Sequence, residues 1–90
     1  MTWRAEVETA VIATLVHLGV SNTAANDRDA QVLDLLCDED VTYDFIPEVQ
    51  RRLRIVVPSH LWEEVSSVGE VIEMIVRLRV ETSKEAEGLR

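Results

Sequence analysis

The side chains with the most chemical potential in this 90-residue chain form one acidic run near its middle. Cys37 is followed directly by Asp38, Glu39 and Asp40, and Asp44 lies four residues further on. Such a run can stabilise the positive end of a helix dipole, hold a divalent cation, or be recognised by a partner protein. We favour the helix-dipole interpretation, because the run lacks the glycine that an EF-hand loop requires for its turn.

No second group near this run completes a catalytic set. Cys37 is the only cysteine, and we predict a half-buried apolar side chain, not a nucleophile. His17 and His60 have no Asp or Cys at a matching spacing, which is typical of structural or surface histidines. The sequence also has no glycine-rich phosphate loop and no His/Cys set at metal spacing. We therefore predict no enzymatic activity, no catalytic residue and no metal ligand.

The net charge of the chain and its distribution limit the classes of partner that it can bind. The net charge is −8, which argues against nucleic acid because phosphate binding needs clustered Lys and Arg. Residues 1–44 hold nine acidic residues against Arg4 and Arg28, so a protein that meets this half should be basic. A single cysteine and the lack of a signal-peptide pattern lead us to expect a cytoplasmic protein. The apolar run 10–20 is too short to cross a bilayer, so we expect no membrane insertion.

Four helices are predicted to position these residues. Helix 1 should run over 2–18, because Val7, Val11 and Leu15 recur at helical spacing, and Gly19 should end it. The polar stretch 21–29 is predicted to be a loop. The apolar stretch 30–37 is consistent with either a turn of helix or an extended segment. Helix 2 should run from Asp44 to Leu53, with Asp44 as N-cap, so that the missing N–H of Pro47 falls within the first turn.

The second half of the chain is predicted to continue as helices. An extended connector over 54–57 leads to a short helix 3 over 59–64. Ser67 and Glu70 have the spacing of a capping box and predict the start of helix 4, which should fade between Val80 and Ser83. We therefore predict an all-α domain over 1–83, followed by a charged, frayed tail over 84–90.

Three segments in register resemble the acyl carrier protein family. Leu18–Val20 is similar to the end of the family's first helix. Leu53–Pro58 is similar to the passage out of its second helix, and Val65–Glu70 is similar to the Ile-Thr-Thr-Val-Gly-Asp that opens its fourth. The resemblance covers about sixty residues. It implies a small four-helix bundle with three longer helices, a short helix 3 and a long loop after helix 1.

The chain departs from this family at the position where the family attaches its phosphopantetheine arm. The ungapped count places the family's Asp-Ser-Leu on Asp38, Glu39 and Asp40. The serine that carries the phosphopantetheine arm is thus replaced by Glu39, and a carboxylate cannot form the serine phosphodiester. We therefore expect no cofactor. In a recognition role, Glu39 would supply the negative charge that a carrier's phosphate would supply.

The second predicted helix also departs from the family's acidic docking helix. It carries Arg51, Arg52 and Arg54 on its exposed side, so partners suited to an ordinary carrier would be repelled. We interpret these arginines mainly as a solvated helix face. Alternatively, with Asp44, they form a docking site for an acidic partner or for the acidic half of a second copy. Pro47 is a third departure, because it should delay the helix beyond the attachment position.

These observations predict a non-enzymatic, carrier-like protein that acts by protein–protein contact, as a monomer or weak homodimer. Two alternatives stay open. One is a genuine carrier for fatty-acid, polyketide or peptide synthesis, with phosphopantetheine on a residue outside the usual motif. The other is a small regulatory or immunity-type bacterial protein that uses the same fold for a different purpose.

Overall fold

The computed structural model describes the backbone of residues 3–88 and the side chains of residues 3–78. Within this range the protein is all-α, as predicted, and an isolated bridge between Gln31 and Ser67 is the one β-type pairing. We number six helices in chain order, of which α4 consists of three consecutive segments. They are α1 (Trp3–His17), α2 (Asn22–Ala25), α3 (Val32–Leu35), α4 (38–53), α5 (Ser59–Glu63) and α6 (Val68–Gly88).

Helix α1 forms and ends as its sequence predicts, although Thr2 lies outside the described residues. After His17 the chain turns through Gly19, whose φ of 100° is a conformation that glycine adopts without steric cost. The turn lets the Val20 N–H donate to the Leu15 carbonyl at 3.0 Å. Some of the carbonyl groups in the last turn of α1, which have no partner within the helix, therefore receive hydrogen bonds from the turn that follows.

The predicted loop after α1 is partly helical. Ser21 is the N-cap of α2, and its Oγ accepts a hydrogen bond from the Ala24 N–H at 3.2 Å. The prediction of a plain loop over 21–29 is wrong at this point, because a capping serine followed by alanines favours one helical turn. The open stretch 30–37 contains the single helical turn α3.

The start of α4 corrects the prediction for the second helix. The helix begins at Asp38, six residues before the predicted N-cap Asp44. Its segments are α-helical over Asp38–Asp40, π-helical over Val41–Phe45 and α-helical again over Ile46–Leu53. Asp44 thus lies inside the helix and caps nothing.

The π segment explains how a helix can continue through Pro47. Proline has no N–H, and its ring clashes with the carbonyl four residues before it in a regular α-helix. Here the Ile46 N–H donates to the Val41 carbonyl, five residues back, so the turn before Pro47 is widened. The expectation that Pro47 delays the helix is therefore wrong, and Glu39 lies in the first turn of α4.

The connector after α4 is extended, as predicted. Arg54 ends the helix in the left-handed conformation, with φ 55° and ψ 45°. The side chain of Gln50 then fixes the connector, because its Oε1 accepts a hydrogen bond from the Val57 N–H at 2.9 Å. Helix α5 follows as the predicted short helix and ends at Glu63, one residue earlier than expected.

Helix α6 starts with the predicted capping box. The Glu70 N–H donates to Ser67 Oγ, and the Ser67 N–H donates to Glu70 Oε1, both at 3.1 Å. The helix continues to Gly88, so the prediction that it fades between 80 and 83 is wrong. Five of the eight residues from 81 to 88 are Glu, Lys or Ala, which favour helix. The domain boundary at 83 stays a prediction.

The start of α6 is also joined to the segment before α3. The N–H groups of Val68 and Gly69 donate to the carbonyls of Ala30 and Arg28, at 3.0 and 2.9 Å. A Cβ at Gly69 would lie 3.2 Å from that Arg28 carbonyl oxygen, which is tighter than an ordinary contact. These bonds fix the long connection between α1 and α4 against the rest of the fold.

The core lies between the three longer helices, α1, α4 and α6. Helix α1 packs against both of the others. Within the described helices, no stretch is long and apolar enough to cross a membrane. The largest fully buried apolar side chains come from these three helices: Val7, Val11, Leu15, Phe45, Val49, Val68, Val71, Ile72 and Ile75.

Candidate functional site

The acidic run lies at the exposed start of α4. Asp38, Glu39 and Asp44 are exposed and Asp40 is half-buried. Within the described part of the chain, none of these four side chains forms an ion pair or a hydrogen bond. Carboxylates in the first turn of a helix are stabilised by the positive end of its dipole. The structure therefore places the three consecutive acids in the first turn of α4, not before a helix that starts at Asp44, and leaves Asp38 and Glu39 open to solvent or to a partner.

Cys37 differs from its prediction. It is the N-cap residue of α4, with extended backbone (φ −76°, ψ 164°), and its side chain makes no capping hydrogen bond. The thiol is exposed, not half-buried. The apolar side chain that the core takes from this segment is that of its neighbour Leu36.

An apolar cleft of about 250 Å³ lies directly beside the acidic run, and we call it the α4–α5 cleft. Asp38 stands at its rim, and Leu33, which is 59% exposed, lies on the opposite helix α3. The rings of Phe45 and Trp62 meet edge to face in its wall, with centroids 6.2 Å apart. The full lining is Val32, Leu33, Asp38, Val41, Thr42, Phe45, Ile46, Trp62, Glu63, Val65, Ser66 and Val71.

One polar atom near this cleft is not satisfied. The indole Nε1 of Trp62 is buried and has no hydrogen-bond partner among the described residues. A buried donor without an acceptor costs on the order of 1–3 kcal/mol. The cleft wall therefore contains a donor that an acceptor brought by a ligand could satisfy.

The arginines predicted as a docking site lie at the other end of α4. Arg51 and Arg52 both bind Glu48, with each Nε 3.0 Å from a Glu48 carboxylate oxygen. The hydrogen bond from Arg51, together with the positive charge of both arginines, lowers the pKa of Glu48 from 4.5 to about 2. Glu48 therefore neutralises part of the predicted basic site. Arg51 keeps 71% of its side chain exposed.

The structure separates the predicted docking residues into two groups. Asp44 belongs to the acidic half of α4, and Arg54 follows its last turn. Ten residues of helix rise separate them by about 15 Å. Acids at the start and bases at the end of one helix both suit its dipole. The acidic start and the arginine end are therefore distinct surfaces, and a docking role for either stays a prediction.

The other candidate groups do not converge on this site. His17 and His60 are both exposed, in the last turn of α1 and in α5. Among the described residues, no group of three or more His, Cys, Asp or Glu side chains is placed to hold a metal ion.

Sequence reasoning missed the cleft residues Leu33, Val41 and Thr42. A signal for Val41 was present, because it stands four residues before Phe45 and continues the apolar spacing of Phe45 and Val49 toward the N-terminus. That spacing indicates a helix that begins before Asp44. No local pattern places Leu33 and Trp62 in the lining of one cleft, since that depends on the tertiary arrangement of α3 and α5.

Comparison of the chain with models of known protein families, with curated proteins and with solved structures found no match in any of the three.

Proposed function

We propose that this protein is a non-enzymatic, acyl-carrier-like domain that acts by protein–protein contact and carries no phosphopantetheine. The observation that supports this most directly is the position of Glu39. It lies exposed in the first turn of α4, at the place that the resemblance assigns to the attachment serine. The site thus presents a fixed carboxylate where a carrier would present a phosphate.

The surroundings of Glu39 favour a protein partner of basic and apolar character. The acids at the start of α4 have no intramolecular partner in the described chain, so their charge is available to a cation. The adjacent α4–α5 cleft and the exposed Leu33 offer apolar area to a partner side chain. Exposed apolar surface next to unpaired charge is typical of docking sites.

The serines that could carry an arm outside the usual motif are largely engaged in structure. Ser21 and Ser67 cap helices, and Ser66 Oγ donates to Glu70 Oε1 at 2.9 Å. Ser59, the first residue of α5, has no such role among the described contacts. Ser83 has no described side chain.

The mass of the protein after enzymatic loading tests the absence of the arm. We expect no change in intact mass when the wild type is incubated with coenzyme A and a broad-specificity phosphopantetheinyl transferase. A gain equal to the mass of the arm would contradict the proposal. The double variant Glu39→Ser, Asp40→Leu rebuilds the family's motif, and we expect it to gain the arm. If it does not, even when Arg51 and Arg52 are also replaced by Glu to remove their repulsion of the transferase, the resemblance at this site is wrong.

Substitution of Glu39 tests the contact itself. We expect Glu39→Ala to reduce the affinity for a purified protein partner by about tenfold or more, because a charge-assisted contact would be lost. Isothermal titration calorimetry measures this, with partners first recovered by affinity capture on the wild type. Glu63→Ala, on the wall of the cleft, tests whether a neighbouring acid contributes, and Asp29→Ala, at an exposed acid outside the cleft lining, is the control that should bind like wild type. Equal binding by wild type and Glu39→Ala would refute the role of Glu39.

A further inference from the structure

Helix α1 is apolar on two faces, whereas a surface helix normally has one apolar and one polar face. Its inner face includes the fully buried Val7, Val11 and Leu15. Between Glu8 and His17 the helix has no charged side chain. A second row, uncharged and apolar except for Thr9, therefore runs along its outside at positions i, i+3, i+4 and i+7. We call this row the outer stripe: Thr9, Ile12, Ala13 and Val16.

The outer stripe forms a ridge between two shallow grooves. Thr9 and Ala13 line both of them. The α1–α4 groove, of about 610 Å³, also includes Leu53 on its far side. The groove on the other side of the ridge, of about 720 Å³, includes Ile12 and Val16. Thr9 and Val16 are exposed, Val16 by 43%, whereas Ala13 and Ile12 are half-buried and Ile12 packs partly against the core, so the ridge meets solvent mainly at Thr9 and Val16.

Two unpaired charges of opposite sign line the α1–α4 groove. Glu6 and Arg54 form no ion pair or side-chain hydrogen bond within the described part of the chain, whereas Arg52 beside them is held by Glu48. One negative and one positive group on a single surface make that surface complementary to itself. The acidic start of α4 is not, because two copies would meet there with like charges.

The backbone at Arg54 is consistent with a selected role for its side chain. The left-handed end of a helix is the position where glycine or asparagine costs least. An arginine at this position, with φ 55°, makes the folded state less stable by on the order of 1 kcal/mol than a glycine would. The result is a guanidinium in the lining of the groove that forms no ion pair among the described residues.

We propose that the outer stripe and the α1–α4 groove form the interface of a symmetric homodimer. In a two-fold assembly the same surface is used by both copies. The outer stripes pack against each other, and Glu6 of each copy pairs with Arg54 of the other, which gives two ion pairs. Val16 is the one exposed apolar residue of the outer stripe, so little apolar area can be buried compared with a stable obligate dimer, and the dimer is weak and reversible.

Reciprocal charge reversal tests this interface. We expect sedimentation velocity to show wild-type dimer increasing with protein concentration into the millimolar range. Glu6→Arg and Arg54→Glu each place two like-charge contacts in a homodimer, so each variant alone should associate at least about tenfold more weakly. An equimolar mixture of the two variants restores both Glu–Arg pairs, so the mixture should form a heterodimer with wild-type affinity.

A second pair of variants tests the apolar part. Val16→Glu should abolish association, whereas Val56→Glu, at a valine that is 85% exposed elsewhere, should leave it unchanged. Circular dichroism confirms that each variant is folded, and Glu6→Gln with Arg54→Gln replace any reversal variant that is not. Wild type that stays monomeric at millimolar concentration, or reversal variants whose mixture does not regain association, would overturn the proposal.

Discussion

Phe45 and Glu39 show how one helix contributes both a core side chain and an exposed acidic surface. They lie six residues apart on α4, yet Phe45 is 1% exposed and packs on Trp62, while Glu39 is exposed and unpaired in the described chain. Phe45 also forms part of the wall of the α4–α5 cleft. Removing its ring would therefore affect the core and the proposed contact surface together.

Replacement of Phe45 should be among the most damaging single changes in the chain. We expect Phe45→Ala to lower the free energy of unfolding by about 3–5 kcal/mol, because it removes a fully buried ring and leaves a cavity. The total free energy of unfolding of a small domain is only about 5–15 kcal/mol. Urea unfolding followed by circular dichroism measures the loss.

Tyr43 provides the matched control for Phe45. It is an aromatic residue in the same π segment but is 74% exposed. Tyr43→Ala should change the unfolding free energy by less than about 1 kcal/mol, as is usual for surface substitutions. Similar losses for the two variants would show that Phe45 does not occupy the core position described here.

At the scale of the element, α4 is a helix with an acidic start and a basic end. Glu48 stands between them and binds arginines three and four residues further on. Such pairs stabilise a helix surface when the acid precedes the base. The same contacts hold the pKa of Glu48 at about 2, below its ordinary 4.5. Hydrogen bonds likewise lower the pKa of Glu70, mainly from Ser67, and that of Glu73, mainly from Arg4.

These lowered pKa values predict acid sensitivity. A carboxylate whose pKa is lower in the folded state stabilises the fold above its unfolded pKa, and this stabilisation disappears as the pH falls through the folded pKa. For Glu48 the loss should occur as the pH falls from about 4.5 to about 2. The melting temperature of Glu48→Gln should therefore be lower than that of the wild type at neutral pH. The difference between the two should shrink as the pH falls toward 2.

Thermal unfolding across this pH range, followed by circular dichroism, measures the effect. Glu63→Gln is the control, because Glu63 is exposed and forms no ion pair in the described part of the chain. Its melting temperature relative to wild type should not depend on pH in the same way. A Glu48→Gln difference that persisted unchanged at pH 2 would contradict the role given to the arginine contacts.

At the scale of the whole molecule, two separate surfaces each combine unpaired charge with exposed apolar area. The start of α4 combines unpaired acids with the α4–α5 cleft, and we assign it to a foreign basic partner. The outer stripe of α1 combines apolar area with Glu6 and Arg54, and we assign it to a second copy. Because the two surfaces involve different residues, a dimer would leave both acidic surfaces available, which would double the contact points for a bivalent partner.

Much of the fold was predictable where local rules act within a few residues. The capping box of Ser67 and Glu70, the stop at Gly19 and the apolar spacing of α1 all gave correct elements. The start of α4 was predicted wrongly, because the rule for proline considers a regular α-helix and does not include a π turn. The resemblance to acyl carrier proteins and the contact role of Glu39 stay predictions.

The sequence by itself determined the helical class and the acidic run that contains Glu39, because residue identity and spacing depend on nothing else. Only the tertiary structure decided that Glu39 is helical, that an apolar cleft lies beside it, and that the acidic and basic ends of α4 are separate surfaces. It also decided which apolar face of α1 is buried. Both faces of α1 have apolar residues at helical spacing, and the packing of α4 and α6 against α1 decides which face is buried.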